Sequence, residues 1–262
     1  MLIVTTLIAI ICYTAATALQ WQRLKQNRSD TRNRVLVLGL AGFISHGGAV
    51  FLTLHQTEGV NLGFFSVGSL IAWLVAALVL GSSLRQRLDN LFIGVFPIAI
   101  LALALAALLP DSSEYRAFES GLLVHILLSI LAYSIFTLAT LQAILLSRQE
   151  IALKHHNTRG LVASLPPLQL MERLLFEMLW VGFILLSLSL LSGMLFVENL
   201  FAQHLVHKTV LSIAAWVIYG ILLACRHFLG WRGNRAIHWT IGGFILLMLA
   251  FFGSKLVLEL LL

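Results

Sequence analysis

Eight apolar runs, near residues 2–19, 35–54, 62–81, 91–109, 122–146, 174–197, 206–225 and 238–260, fix what this chain can become. A helix needs about 20 apolar residues to cross about 30 Å of hydrocarbon, and each run is close to that length or beyond it. Inside hydrocarbon every backbone N–H and C=O must be satisfied within the protein, so only helices and closed barrels can span. No run alternates with period two over strand length, which removes the barrel. With 60% hydrophobic and 11% charged residues, against about 25% charged in soluble domains, the chain reads as an all-α polytopic membrane protein. The expected fold is a bundle of eight transmembrane helices, forming a single transmembrane domain over residues 1–262. No internal repeat, linker or low-complexity segment interrupts it.

The net charge of +6 would suit a nucleic-acid partner in a soluble chain, but here it must be read loop by loop. The first, third, fifth and seventh loops hold 14 of the 17 Lys and Arg residues; the others are Arg116, Lys208 and Lys255. The even loops, HQTEGVN, PDSSEYRAFES and ENLFAQH, are acidic or neutral. Cytoplasmic loops carry the Lys/Arg excess, so the odd loops are expected in the cytoplasm and both termini in the periplasm of a bacterial inner membrane. The first run has its positive charges after it (Arg23, Lys25, Arg28, Arg32, Arg34), the reverse of a cleavable signal. It therefore reads as the first span. The partner is lipid, and nucleic acid is excluded.

The longest loop, Ser147–Arg173, contains His155-His156 and then Leu165-Pro166-Pro167-Leu168, where a double proline cannot continue a helix. The segment after it, LQLMERLLFEML, has leucines at helical spacing and is expected to lie along the interface before feeding the sixth span. Lys255 and Glu259 are four apart, a spacing that allows an ion pair on one helix face. Gly39, Gly42, Gly47 and Gly48 in the second run and Gly242, Gly243 and Gly253 in the eighth are expected to let helices approach closely. Cys12 and Cys225 sit in apolar runs, and no Cys-x-x-Cys or Cys-x-x-Cys-His occurs. Neither a redox pair nor covalent haem attachment is indicated.

Ionisable groups within spans are functional candidates, and here they are mostly histidines. His46, His55, His125, His204 and His207 all fall in the outer half of the spans, whereas His155, His156, His227 and His238 fall at the cytoplasmic side. His204 and His207 share one face at the outer mouth of the seventh span. Its stretch from His204 to Trp231 ends in Arg226, His227 and the turn Gly230-Trp231-Arg232-Gly233. Neutral imidazole ligates haem iron, zinc, copper or nickel. Zinc sites usually add cysteine or carboxylate; the outer half has no cysteine there, and Glu58 and Glu198 lie beyond the bilayer. Histidines from different helices beside an apolar groove suit haem iron, with Trp216, Trp73, Phe64, Phe65 and Tyr133 as candidate lining. His125 and His207 both lie about one turn inside the outer surface, the equal depth a pair of axial ligands needs.

Several motifs, taken in order, resemble the CcsA/CcmC-type haem-handling superfamily of cytochrome c assembly proteins, in its branch of YpjD-like inner membrane proteins. His125-Ile126 followed by Ala132-Tyr133 and Phe136 is similar to the family's span that opens with a haem-ligand histidine. Pro166-Pro167-Leu168 with Glu172, then Lys208, Trp216, Tyr219, Arg226 and Gly230-Trp231-Arg232-Gly233, then Gly243-Phe244 and Phe252-Gly253-Ser254 follow the family's order. His46, Gly63-Phe64-Phe65, Ser69–Trp73 and His207-Lys208-Thr209 fit the branch. The resemblance is strongest over 121–262. The chain departs from the pattern before Lys208, where ENLFAQHLVH stands in place of a tryptophan-rich loop, and at Ala224, where the family has an intramembrane histidine. It also ends at Leu262, without the family's last external histidine. One ligand histidine thus carries over, His125, with His207 as a local substitute.

The resemblance implies a protein that binds haem b without a covalent link near the periplasmic face, through His125 with His207 or His46. It would hold or hand over haem and is not an enzyme, since no nucleophile, base and orienter come together in the sequence. Other membrane proteins of haem handling or transport are the implied protein partners. The rival expectation is a non-haem accessory protein that partners a transporter or biosynthetic enzyme and keeps the fold without the cofactor. A transporter is a weaker third, for inverted repeats and broken helices are not seen.

Overall fold

A computed structural model describes residues 1–26, 31–56, 59–60, 62–85, 89–109, 120–156, 165–196 and 206–253. Eight helices long and apolar enough to cross a membrane are present among them. They are α1 (Leu2–Gln26), α2 (Arg32–Leu54), α3 (Phe64–Arg85), α4 (Phe92–Leu108), α5 (Ser120–Lys154), α6 (Leu168–Phe196), α7 (Val206–Leu229) and α8 (Asn234–Met248). A 3-10 turn, Asp89–Leu91, leads into α4, and a π-turn, Leu249–Gly253, follows α8. The only strands among the described residues are a two-residue antiparallel pairing of His55–Gln56 with Gly59–Val60. The helices form two compact units, α1–α4 and α5–α8.

In the first unit α1 packs on α2 and α4, and α3 packs on the same two helices, so the four close a ring. The buried face of α1 is Thr6, Ala9, Tyr13, Ala16, Gln20 and Leu24, a spacing of three and four that keeps one stripe inward. Tyr13 lies over Gly42, where a Cβ would meet its ring at 2.8 Å, and stacks on Phe96 at 5.0 Å. At the end that carries the basic loops, Asp89 gathers Arg23 of α1 (3.0 Å) and Arg32 of α2 (2.8 Å). Gln20 donates to the Asp89 carbonyl at 2.9 Å, and Arg32 donates to the Ser83 carbonyl of α3 at 2.8 Å. One buried carboxylate and its neighbours thereby tie all four helices at that end.

The second unit repeats the plan: α5 packs on α6 and α8, and α7 packs on α6 and α8. The helices α5 and α7 therefore face each other across the diagonal. Phe136 and Tyr219 stack across it at 4.0 Å, each with a glycine beneath, Gly182 and Gly243 respectively. The hydroxyl of Tyr133 donates to the Leu247 carbonyl at 2.8 Å, and that of Tyr219 to the Thr240 carbonyl at 3.3 Å. At the basic end Arg226 pairs with the buried Glu172 at 3.1 Å and lies 4.5 Å over the Phe176 ring. It also donates to the Trp231 carbonyl at 3.0 Å. The turn after α7 uses two glycines at positive φ, Gly230 (65°) and Gly233 (56°). At Gly233 a Cβ would stand 2.6 Å from Glu150 Oε1. The Glu150 carboxylate thus sits at the start of α8, where the helix dipole favours an anion.

The structure corrects the expected loop between the fifth and sixth spans. The 35-residue α5, about 52 Å long at 1.5 Å per residue, runs on to Lys154, and α6 begins directly after Pro167. The LQLMERLLFEML segment does not lie along the interface. It is the start of α6, with Met171, Glu172, Leu174, Leu175 and Phe176 buried and the Met171 carbonyl accepting from Gln142 of α5 at 3.1 Å. Its charges misled the reading because Glu172 is paired rather than solvated. The Lys255–Glu259 pair lies outside the described residues.

Two substitutions test this architecture. Asp89→Asn leaves two guanidiniums without their counter-ion. It is expected to cost about 2 kcal/mol, below the ~3–5 kcal/mol of a fully buried pair, because Arg23 and Arg32 are 18% and 32% exposed. Gly233→Ala combines the Glu150 collision with a φ of 56° and ψ of −130° that side chains avoid, and should cost roughly 2 kcal/mol. Both are read as lowered thermal midpoints in detergent, and an unchanged midpoint contradicts the assigned contact.

Candidate functional site

His125 opens α5 one and a half turns from its start and turns its ring onto α6. Nδ1 lies 2.8 Å from the Ser189 carbonyl and 3.3 Å from Ser192 Oγ. Ser192 Oγ donates to the same carbonyl at 2.8 Å, and Ser129 Oγ joins Ser189 Oγ at 2.7 Å. The ring can come this close because residue 193 has no side chain; a Cβ there would lie 2.9 Å from His125 Cε1. A carbonyl can only accept, so Nδ1 carries the proton and Nε2 keeps its lone pair. Nε2 makes no hydrogen bond among the described residues. A ring nitrogen fixed in this way by a backbone carbonyl is how proteins orient a metal-ligating histidine.

The stacked Phe136–Tyr219 pair sets the register between α5 and α7, which run in the same direction. His125 stands 11 residues before Phe136 and His207 stands 12 before Tyr219, so both lie about 17 Å above the stack at 1.5 Å per residue. Along the helices the two histidines thus stand at about the same height over the stack. His207 is exposed in the first turn of α7. The diagonal is closed at mid-depth by the stack, so a planar ligand between α5 and α7 must sit above it. About 12 Å below the histidines, the aromatic floor is Tyr133, 5.6 Å from Phe251, which meets Phe252 edge-on at 5.1 Å. The Lys208 ammonium lies 5.9 Å from the Phe251 centroid.

The other candidates stand elsewhere. Trp216 is deeper on α7, donates from Nε1 to Ser187 Oγ at 2.8 Å and stacks on Phe183 at 5.5 Å, fastening α7 to α6. The Tyr133 hydroxyl is engaged by α8. In the first unit His46 is fully buried, with Nε2 3.0 Å from Ser69 Oγ and its ring edge-on to Tyr13 at 5.9 Å. Its Nδ1 and the Tyr13 hydroxyl have no hydrogen-bond partner among the described residues. Trp73 stacks on Phe43 at 4.9 Å and donates to its carbonyl at 3.0 Å, and Phe64 meets Phe65 at 5.0 Å, all within that unit. His204 lies outside the described residues. His155, His156, His227 and His238 are exposed at the basic end. Among the described residues no three His, Cys, Asp or Glu side chains gather as a metal site, so the candidate chemistry is that of one or two imidazoles.

Sequence reasoning did not single out Ser129, Ser189, Ser192 and Gly193. For the last three the signal was the run of small residues Gly182, Ser189, Ser192 and Gly193 on the buried face of α6.

Comparison with known proteins adds an independent line. The family model described as "Cytochrome C assembly protein" matches residues 34–262. The inner membrane protein YpjD of Escherichia coli strain K12 is 31% identical over 260 residues, covering 98% of each chain. Protein HemX of Brevibacillus brevis is 25% identical over 210 residues, covering 75% of this chain and 77% of that one. No solved structure matches.

The geometry at His125 makes its own prediction. Nitrogen NMR of the labelled histidine should show the Nδ1-protonated tautomer. Gly193→Val, which pushes the ring off the Ser189 carbonyl, should shift it toward the Nε2-protonated form. An Nε2-protonated wild type would contradict the assigned bond.

Proposed function

This chain belongs to the cytochrome c assembly protein family as a multi-pass inner-membrane protein, and we propose that it binds haem b without a covalent link at the outer mouth of its second unit. The observation that carries the reading is the bond from His125 Nδ1 to the Ser189 carbonyl, which leaves Nε2 with the lone pair that iron takes. When bound, haem would supply an iron that takes imidazole nitrogen as a ligand. The chain supplies the rest. His125 is oriented by Ser189 and Ser192 and seated on Gly193. His207, at the same depth on α7, is the partner ligand we assign. His46, committed to Ser69 within the first unit, serves packing there in this reading. Tyr133 and Phe251 form an apolar floor that keeps water from below, and Trp216 fixes α7 so that His207 keeps its position.

The Lys and Arg asymmetry turns the odd loops to the cytoplasm, so the histidine mouth and both termini are periplasmic in this proposal. The protein holds haem and passes it to other membrane proteins of haem handling or transport; the histidine–iron bonds are exchanged for the recipient's, and the porphyrin's covalent bonds are untouched.

The test is an absorption spectrum of the full chain purified in mild detergent from haem-replete cells. The wild type should carry a Soret band. His125→Ala should remove it, and His207→Ala should convert a six-coordinate, low-spin spectrum to a five-coordinate one. A wild type without haem, or a His125→Ala variant with an undiminished band, overturns the proposal.

A further inference from the structure

We propose that one anionic phospholipid binds along α8 at the basic end of the second unit, with its phosphate on Arg232 and Arg235 and an acyl chain over Gly242. The site is independent of the haem reading. It begins with a glycine that no helix uses. Gly42, Gly182, Gly193 and Gly243 each lie under a ring of a neighbouring helix. At Gly242 a Cβ would meet nothing within 4 Å among the described residues, although the sequence pattern expected this glycine to draw two helices together. Glycine weakens a helix relative to alanine, and here no packed neighbour offsets that. Gly242 leaves an open notch in the surface of a membrane-spanning helix.

What stands above the notch specifies its occupant. Arg235, Trp239 and Gly242 are spaced by four and three residues, so they share one stripe of α8. Trp231 completes the stripe. Its ring meets Trp239 edge-on at 5.3 Å, and the Arg235 guanidinium carbon lies 5.9 Å from its centroid. The turn that presents Trp231 is fastened to α7: its N–H donates to the Cys225 carbonyl at 3.3 Å, and Arg226 donates to its carbonyl at 3.0 Å. Arg232 and Arg235 are exposed. Among the described residues neither makes an ion pair; Glu172 is taken by Arg226, and the Glu150 carboxylate beside Gly233 joins neither arginine. Orientation by loop charge needs only a count of cations. It does not require them above paired indoles and an open notch. Arg235 stands about 10 Å above Gly242 at 1.5 Å per residue, with the indoles between, where tryptophan marks the membrane–water interface. Cation, indole and notch thus follow the order of phosphate, glycerol and acyl chain. A free phosphate shares the headgroup's chemistry but leaves the indoles and the notch without a role.

The experiment is native mass spectrometry of the full-length chain, delipidated in a neutral detergent and titrated with phosphatidylglycerol or with phosphatidylcholine. The wild type should bind its first phosphatidylglycerol about tenfold more tightly than phosphatidylcholine, the size two cations near an anionic headgroup supply. Arg232→Gln with Arg235→Gln should remove the preference while keeping the phosphatidylcholine affinity, which also reports that the variant is folded. Lys25→Gln with Arg34→Gln, an equal loss of charge from exposed side chains of the first unit, should leave the preference intact. Gly242→Leu fills the notch and should weaken both lipids alike. In lipid-free detergent its thermal midpoint should be at or above that of the wild type, because no neighbour is displaced. Inorganic phosphate should not displace the lipid. The proposal is overturned by a wild type without preference, or by a preference that survives in the Arg232 and Arg235 double variant. Equal losses in the two double variants overturn it in favour of diffuse attraction. Gly242→Leu with undiminished lipid affinity, or with a lowered midpoint, removes the notch, and displacement by phosphate assigns the arginines to a soluble anion. None of these outcomes bears on the haem site.

Discussion

Helices in lipid gain nothing from hiding apolar surface from one another, because the surrounding chains are as apolar as their side chains. What holds them together is close van der Waals contact, and in this molecule it takes one recurring form, a ring laid on a glycine of the next helix. Tyr13 lies on Gly42, Phe136 on Gly182 and Tyr219 on Gly243. The candidate site is another case, His125 on Gly193. The contact that would make a ligand of the histidine is thus the same contact that builds the bundle. Its only additions are a carbonyl within reach and a ring with a second nitrogen.

Charged side chains complete what ring packing begins, and they do so at one end. Asp89 with Arg23 and Arg32, and Glu172 with Arg226, each bind helices of one unit together near the basic loops. Such pairs are costly to desolvate and weak as sources of net stability; their value is that they fix which helix faces which. With one end of each unit so fixed, and the middle of the second unit filled by Phe136 and Tyr219, the opposite mouth is where His125 and His207 stand.

The eight spans were legible because their signal, about 20 apolar residues in a row, is local. The ends of α5 and α6 were not, since Gln149, Glu150, Glu172 and Arg173 look like loop residues until their neighbours are known. Arg23 and Arg32 find Asp89 across 66 and 57 residues, and no local pattern announces that. His125 and His207 stood out as ionisable groups in or beside apolar runs. The acceptor for His125 could not be read at all, because it is a backbone carbonyl, and serine and glycine are common in every span. Trp216 and Tyr133 were expected to line a groove; their polar atoms are spent on Ser187 and Leu247.

The closure of α1 to α4 into a ring of its own bears on how the chain is made. Every contact that defines that ring, including the one from Arg23 to Asp89, joins residues that precede α5. The first four helices can therefore reach their final packing in the bilayer while the ribosome is still adding the segments that carry His125 and His207. The later half can then assemble as a second event, on a schedule set by the order of synthesis.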